Sequence, residues 1–279
     1  MDLRRLKTIF IFVLIAINIM FFALINNVRN YEKEERRTMT ESLTALLSKN
    51  MIYISKMVQL PESPDISSFY LEKMFGSNEQ LVSKFLGERY TETEPDTYSG
   101  NDGRLYIDGD EFRYYNTNPQ TPIEDFSEEN IEKICRGEME RIGILSDMYV
   151  FGGVNFVEDG IRAIFTMQHH KDVFFDAYVS FDVSEKGIVG VSGRNLVSGL
   201  TAADNGAEFF SIISVLPDLA DNPRLEKNVA HNVVSIKPGY YIGKTAESYR
   251  NILAIPVWQI ATDSGQILYY DARNGQSID

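Results

Sequence analysis

The sequence predicts an α+β fold, in which an N-terminal transmembrane helix and a helical neck are followed by two repeated units of antiparallel sheet with packed helices. Three observations support this class. An unbroken apolar run lies near the N-terminus, several later segments alternate apolar and polar residues, and stretches with helical periodicity separate them. The 279 residues are 44% hydrophobic, which is enough to bury a core.

The chain is strongly acidic, with a formal net charge of −13. Residues 1–28 carry +2, so the remainder carries −15. A body with this charge repels phosphate backbones, and we therefore expect no nucleic-acid partner. The single cysteine, Cys135, excludes a disulfide within the chain.

The N-terminal apolar segment predicts a membrane anchor. Between Ile9 and Ile25 the one polar residue is Asn18, and Thr8–Val28 as a helix would measure about 31 Å, close to the thickness of a hydrocarbon core. A cleaved signal peptide would be shorter and would end in small residues at a cleavage site, which this run lacks. We predict that residues 1–28 form a cytoplasmic tail and an uncleaved transmembrane anchor.

Basic residues flank both ends of this anchor, so the positive-inside rule alone is nearly balanced. The short N-terminal tail is net basic, whereas the basic residues after the helix alternate with Glu32, Glu34 and Glu35. This difference favours a cytoplasmic N-terminus. The prediction is a single-pass protein of the cell membrane with an extracytoplasmic C-terminal domain.

Residues 29–118 are predicted to hold the neck and a first α+β unit. A helix over 31–60, ended by Pro61, would carry an apolar stripe of Met39, Leu43, Leu46, Leu47, Ile54 and Val58. A short helix is expected over 67–75. Leu105–Ile107 and Phe112–Tyr114 are expected to form a hairpin about Asp108-Gly109, with Leu105 opposite Phe112 and one apolar face.

Residues 119–279 are predicted to form a second, larger α+β unit that also ends in an aromatic hairpin. Ser127 is expected to cap a helix whose buried stripe includes Ile131, Ile134, Cys135, Met139 and Ile142. Another helix is expected over Thr201–Leu219, with Ala207, Phe209, Phe210, Ile213 and Leu216 on its apolar face. The predicted strands are Met148–Val157, Ile161–His169, Val173–Val183, Gly187–Val191, Val229–Ile242, Ala254–Thr262 and Gln266–Asp271.

No residue pattern in the chain indicates catalysis or metal binding. His169 and His170 are neighbours in a predicted strand, where adjacent side chains point to opposite faces, and His231 is distant from them. Cys135 lies in an apolar stripe, so we expect a core thiol rather than a nucleophile. The acidic run 101–111 fails the calcium-loop pattern, because a loop starting at Asp96 would end in Ile107 instead of Glu. We predict a protein that is not an enzyme and needs no cofactor.

Two features are candidates for contact with a partner. Tyr240, Tyr241, Tyr269 and Tyr270 crowd the C-terminal strands, where each is either a core residue, as Trp258 is expected to be, or an exposed contact residue. Asn18 lies near the middle of the predicted span. An amide in lipid usually bonds to a neighbouring helix, so Asn18 is a candidate contact as well, unless it is merely tolerated there.

Motifs at both ends of the chain follow a recognisable order. Residues 7–11, Lys-Thr-Ile-Phe-Ile, run directly into the anchor, and the C-terminal part contains Pro238-Gly-Tyr-Tyr241, Pro256-Val-Trp-Gln-Ile260 and Tyr270-Asp-Ala272. Together these motifs resemble the YycI (WalI) family and its relative YycH. Gln259 stands where family members usually have Arg, Asp271 where they have Asn, and 274–276, Asn-Gly-Gln, where they have Thr-Gly-Glu.

This resemblance implies a bitopic accessory protein of a Gram-positive bacterium. Such a protein would bind a WalK (YycG)-type sensor histidine kinase beside a YycH-like protein and modulate its control of cell-wall metabolism. The resemblance also implies PepSY/YycH-like α+β units without enzymatic activity. Two alternatives stay open: a PepSY-like extracytoplasmic module that binds and inhibits a cell-surface peptidase, and an extracytoplasmic enzyme or small-ligand sensor.

Overall fold

The computed structural model describes residues 3–58, 60–61, 68–195, 200–203, 209–243 and 251–278, with the backbone alone for residues 3–9, 12, 200, 202 and 251. The helices are α1 (Leu3–Lys49), α2 (Asn78–Leu86), α3 (Glu128–Ile142) and α4 (Ile212–Val215). The strands are β1 (Ile52–Ile54), β2 (Phe69–Glu72), β3 (Tyr90–Glu94), β4 (Thr97–Gly100), β5 (Gly103–Asp108), β6 (Glu111–Asn116), β7 (Tyr149–Val157), β8 (Gly160–His169), β9 (Asp172–Ser184), β10 (Gly187–Arg194), β11 (Leu200–Ala202), β12 (His231–Tyr241), β13 (Asn251–Thr262), β14 (Ile267–Asp271) and β15 (Ser277–Ile278).

These strands form one sheet in which antiparallel pairing dominates. Its main path runs β11-β2-β13-β12-β9-β10-β6-β5-β4-β3. Strands β7 and β8 extend from β9, and β14 and β15 extend from β13. Strand β12 pairs in parallel with β1 and, at Tyr240 and Phe174, with β9. The predicted α+β class, with an N-terminal apolar helix, is confirmed.

Two apolar cores hold the domain together. The first lies between the inner face of the central sheet and helices α2 and α3, and it includes Leu81, Cys135 and Phe181. The second joins the end of α1 and the helix α4 to the C-terminal strands, and Leu47 and Trp258 belong to it. Trp258 is 0% exposed, which confirms the prediction that it is a core residue.

The central strands and α3 lie close to their predicted positions. Strands β7 to β10 start and end within a few residues of the expected bounds, because alternating side chains and Gly-containing turns specify them locally. Ser127 is the N-cap of α3 as predicted, but its hydroxyl donates to the carboxylate of Asp125 instead of accepting from the helix. Gly143 ends this helix in the left-handed conformation.

The predicted hairpin forms, but its register differs from the prediction. Leu105 pairs with Tyr114 rather than with Phe112, because the turn centres on Gly109 and Asp110. Gly109 has φ 63° while Asp110 does not have positive φ, which is the pattern of a type II′ rather than a type I′ turn. A shift of two residues preserves the alternation, so the expected apolar face is present.

The neck helix is shorter than predicted. It ends at Lys49, where Met51 adopts φ 58° and reverses the chain, so the helix does not continue to Pro61. The following residues pair with β12 as strand β1, which places Ile54 and Val58 outside the helical stripe. The backbone groups of Ile52–Ile54 form hydrogen bonds with β12 rather than within a further turn of α1.

Among the described residues, the helix predicted over 67–75 is absent and the helix predicted over 201–219 forms only in its C-terminal part. In both segments the backbone of other residues pairs with distant strands. Over 67–75 the described residues contain β2, which pairs with β11 and β13; Ser67 lies outside the described residues. Over 201–219 the chain contains part of β11, and α4 begins only at Ile212, capped by the Ser211 hydroxyl. Ala207 is outside the described residues, and a 3₁₀ helix, Leu216–Asp221, completes the turn.

Candidate functional site

Helix α1 connects an apolar segment directly to the domain. Among the described residues, one helix is long and apolar enough to cross a membrane, and it is this N-terminal one. It fits a single-pass membrane protein. Its 47 residues measure about 70 Å, so the helix extends well beyond a hydrocarbon core of about 30 Å.

The part of α1 that follows the apolar span, residues 31–49, forms the neck. A groove of about 760 Å³ lies between this neck and the helix α4. Its floor is largely apolar and includes Met39, Leu46 and Pro217, while Glu34 and Glu35 line the part nearest the apolar span. We call this the neck groove. It is not evident from the sequence, although Met39 and Leu46 belong to the predicted stripe. They are 51% and 43% exposed, so the domain covers only part of that stripe.

The neck is fixed firmly against the domain. Leu43 and Leu47 are 5% and 0% exposed and pack in the second core with Ile212. Closer to the apolar span, the guanidinium of Arg36 donates hydrogen bonds to the carbonyls of Leu60 and Pro61, at 3.1 and 3.3 Å. These contacts hold the helical wall of the neck groove against the domain.

The four C-terminal tyrosines divide into two buried and two half-buried residues. Tyr240 and Tyr270 are 1% and 0% exposed, so they are core residues and present no surface to a partner. The phenol oxygen of Tyr270 accepts a 2.7 Å hydrogen bond from Asn222. Tyr241 and Tyr269 are half-buried with ring centroids 5.0 Å apart, and burial raises the pKa of each phenol. Their contact with a partner stays a prediction.

Asn18 lies on the exposed surface of the apolar part of α1. Its side-chain amide donates to the backbone carbonyl of Leu14, one turn earlier, at 2.8 Å. This bond satisfies one donor inside the helix and leaves other amide groups available to a neighbouring helix. A partner contact at Asn18 stays a prediction.

An ionic cluster near Tyr241 connects β9, β10 and the β5–β6 turn. Arg194, at the end of β10, pairs with Asp110 in the β5–β6 turn and with Asp176 on β9, and it donates to the carbonyl of Gly243. The carboxylate of Asp176 also accepts from the amides of Ile242 and Gly243. Burial raises the pKa of Asp176, although Arg194 and these amides act in the opposite direction. The geometry indicates a structural brace.

The histidines and the cysteine form no catalytic arrangement. The premise that His169 and His170 point to opposite faces is wrong, because His170 has φ 55° and the two rings are 4.2 Å apart. His231 is buried, and its Nε2 lies 3.0 Å from the carbonyl oxygen of Glu226. Burial raises the pKa of the Cys135 thiol to about 12, so no reactive thiolate forms at neutral pH.

No cluster of three or more His, Cys, Asp or Glu side chains close enough to hold a metal occurs in the part of the chain that the structure describes. Within the acidic run 101–111, Asp110 is 3% exposed and is bonded to Arg194. Its role is therefore the neutralisation of a buried cation.

Together, the fold and the neck groove define a class: an α+β domain on an N-terminal apolar helix, with a groove beside the end of that helix. No known protein-family profile matches the sequence. No curated protein sequence matches it significantly.

The structure is similar to an uncharacterized protein from Eubacterium rectale, with a TM-score of 0.50 and 12% identity over 86% of this chain and 98% of the other. It is also similar to YycH from Bacillus subtilis, with a TM-score of 0.48 and 12% identity over 75% of this chain, which spans 51% of that structure. The C-terminal domain of Bacillus megaterium YpeB has a TM-score of 0.37 and 9% identity, covering 72% of this chain and 93% of that one. At these identities the comparison concerns the fold alone.

Proposed function

We propose that this chain is a bitopic membrane accessory protein that binds and modulates a sensor histidine kinase of the WalK (YycG) type, which controls cell-wall metabolism, beside a YycH-like protein. The neck groove carries the proposal. It opens on the same uninterrupted helix that forms the apolar span, so one partner helix can contact both. A separate ligand site is not needed for this role.

The groove also indicates what kind of segment would dock in it. Met39 and Leu46 offer an apolar track one to two helical turns long, which suits the apolar stripe of an amphipathic helix. Glu34 and Glu35 add two negative charges at its membrane-side end. We infer that the partner is a helix leaving the membrane alongside α1, with basic residues just outside the bilayer.

We expect Leu46→Glu to reduce recovery of the kinase in a membrane pull-down roughly fivefold or more, because a charge would replace an apolar anchor at the groove floor. Wild-type and variant proteins should be present at equal abundance, since Leu46 is 43% exposed and its replacement leaves the buried core intact. The measurement is quantitative mass spectrometry of proteins that co-purify with the tagged chain.

Ala45→Glu is the matched control. It adds the same charge to the same helix, one residue away, but outside the lining of the neck groove. Recovery of the kinase should be unchanged in this variant. Equal recovery from Leu46→Glu and wild type would disprove docking in the groove. Recovery of a peptidase in place of a kinase would disprove the proposed partner.

We expect the C-terminal domain to lie outside the cytoplasm. An alkaline phosphatase fused after Asp279 should be active, because that enzyme needs oxidising conditions to form its disulfides. A fluorescent protein that folds only in the cytoplasm, fused at the same position, serves as the reciprocal control. An inactive phosphatase fusion together with a fluorescent reporter fusion would show that the C-terminal domain lies in the cytoplasm instead.

A further inference from the structure

The outer face of the sheet, opposite the core formed by α2 and α3, carries a polar cavity of about 380 Å³ over β6, β10, β9 and β8. We call it the outer-face cavity. Among its ten lining residues only Ile164 and Val191 are aliphatic. The volume is at the lower end of the range for small-molecule sites, but such sites are usually mostly apolar. The polar lining therefore suits a small, hydrophilic ligand.

Small residues form the floor of the outer-face cavity. Ser180 and Ser192 are directly opposite each other on β9 and β10, with their hydroxyl oxygens 2.8 Å apart. Next to them, a Cβ on Gly190 would lie 3.1 Å from the Asp182 carboxylate, so glycine leaves room for that side chain. A β-bulge between Ile188 and Gly190 changes the direction of β10 at this point.

The cavity contains one paired and one unpaired guanidinium. Arg162 forms two hydrogen bonds with Asp182, at 2.6 and 3.1 Å. Arg113 lines the same cavity and, within the described ranges, has neither an ion-pair nor a hydrogen-bond partner. The lining is therefore net positive in a chain of net charge −13. Because a guanidinium presents a planar fork of donors, Arg113 is available to bind a carboxylate or a phosphate.

Two aromatic side chains form the walls. Tyr115 and Tyr178 are 56% and 42% exposed, and their phenols lie near Arg162, where they add to the rise in its pKa that Asp182 mainly causes. Each ring offers a flat apolar face and a hydroxyl that can donate or accept. A sugar ring has the matching properties, because its C–H groups form apolar faces and its hydroxyls lie around the edge.

We propose that the outer-face cavity binds an acidic sugar, a pyranose that carries a carboxylate or a phosphate. Arg113 holds the anionic group, the rings of Tyr115 and Tyr178 contact the faces of the sugar, and Ser180 and Ser192 contact its hydroxyls. This site is separate from the neck groove, so it is independent of the proposed kinase contact.

Isothermal titration calorimetry with the full chain in detergent micelles tests the proposal, with glucuronate and glucose 6-phosphate as probes. Both acidic sugars should bind saturably, and the tighter one shows whether a carboxylate or a phosphate is preferred. Neutral glucose and inorganic phosphate should each bind at least tenfold more weakly, since each lacks half of the recognised chemistry.

Arg113→Gln should weaken both acidic sugars about tenfold or more, as expected for loss of hydrogen bonds to a charged group. Arg104→Gln is the matched control: it removes the same charge from the same face, opposite Tyr115, outside the cavity lining. It should leave both affinities unchanged. Tyr115→Ala should weaken the acidic sugars without affecting inorganic phosphate. The proposal is overturned if neither acidic sugar binds, if glucose binds equally well, or if Arg104→Gln and Arg113→Gln have equal effects.

Discussion

Arg194→Met is expected to lower the free energy of unfolding by about 3–5 kcal/mol, because it removes the buried guanidinium that pairs with the carboxylates of Asp110 and Asp176. The side chains of Arg194 and Asp110 are 5% and 4% exposed, and the guanidinium also bonds Asp176 and the Gly243 carbonyl. Methionine retains much of the side-chain volume but provides no donor. Urea unfolding of the full chain in detergent, followed by the emission of Trp258, measures the loss.

Arg162→Met is the matched control for this change. Arg162 makes an equally close, two-pronged contact with Asp182 on the same sheet, but the two side chains are 48% and 31% exposed. Water screens an exposed pair, so the expected loss is about 0–1 kcal/mol. Similar losses in both variants would contradict the view that the Arg194 cluster is a desolvated brace.

A second substitution distinguishes the loss of the Arg194 ion pair from the energetic cost of the carboxylate that remains. Asp110→Asn added to Arg194→Met should recover part of the stability, because it removes one of the two negative charges that no longer face the guanidinium. No recovery would contradict the view that the Asp110 carboxylate destabilises the fold once Arg194 is removed.

Trp258→Ala is expected to cost about 3–5 kcal/mol, a large part of the total stability of about 5–15 kcal/mol typical of a domain. The indole is completely buried in the second core, and its N–H donates to the carbonyl of Phe210 at 2.9 Å. Because the change removes the only tryptophan, unfolding should be followed by circular dichroism. The wild-type emission should be blue-shifted, as for an indole shielded from water.

Two further variants test how much of this cost is cavity formation. Trp258→Phe retains most of the buried ring and loses the hydrogen bond, for which about 0.5–1.5 kcal/mol is typical, so it should be clearly milder. Phe156→Ala truncates an aromatic residue that is 89% exposed on β7 and should change stability by about 0.5 kcal/mol or less. If Phe156→Ala were as damaging as Trp258→Ala, burial could not be the cause.

Much of the fold could be predicted from the sequence because it depends on local patterns. The apolar run around Asn18 predicts a helix of membrane-spanning length, and the structure contains one. The alternation in β8 and β9, with Gly160 and Gly187 beside their turns, predicts the central strands closely. Helix α3 is also predicted correctly, because its apolar stripe and its end signals agree.

The wrong predictions occur where pairing between distant segments decides the conformation. The segments of β1, β2 and β11 are only 3, 4 and 3 residues long, too short to show a periodicity, and each forms a strand because it pairs with β12, β13 and β2 respectively. The hairpin turn moved by two residues, and Asp110 at its centre is held by Arg194, which is 84 residues away. Local propensity is a weak prior against such tertiary contacts.

The sequence by itself determined that the chain has one N-terminal apolar helix, an acidic α+β body and a buried Trp258. Only the tertiary structure decided which tyrosines are accessible: Tyr240 and Tyr270 became core residues, while Tyr241 and Tyr269 kept partial exposure. The tertiary structure also forms both candidate sites, because each is built from segments that are distant in the sequence. The neck groove joins residues 31–46 to 213–217, and the outer-face cavity joins 113–115 to 162–192. The physical reason is that periodicity specifies which face of a segment is apolar, whereas sheet register and packing specify which faces meet.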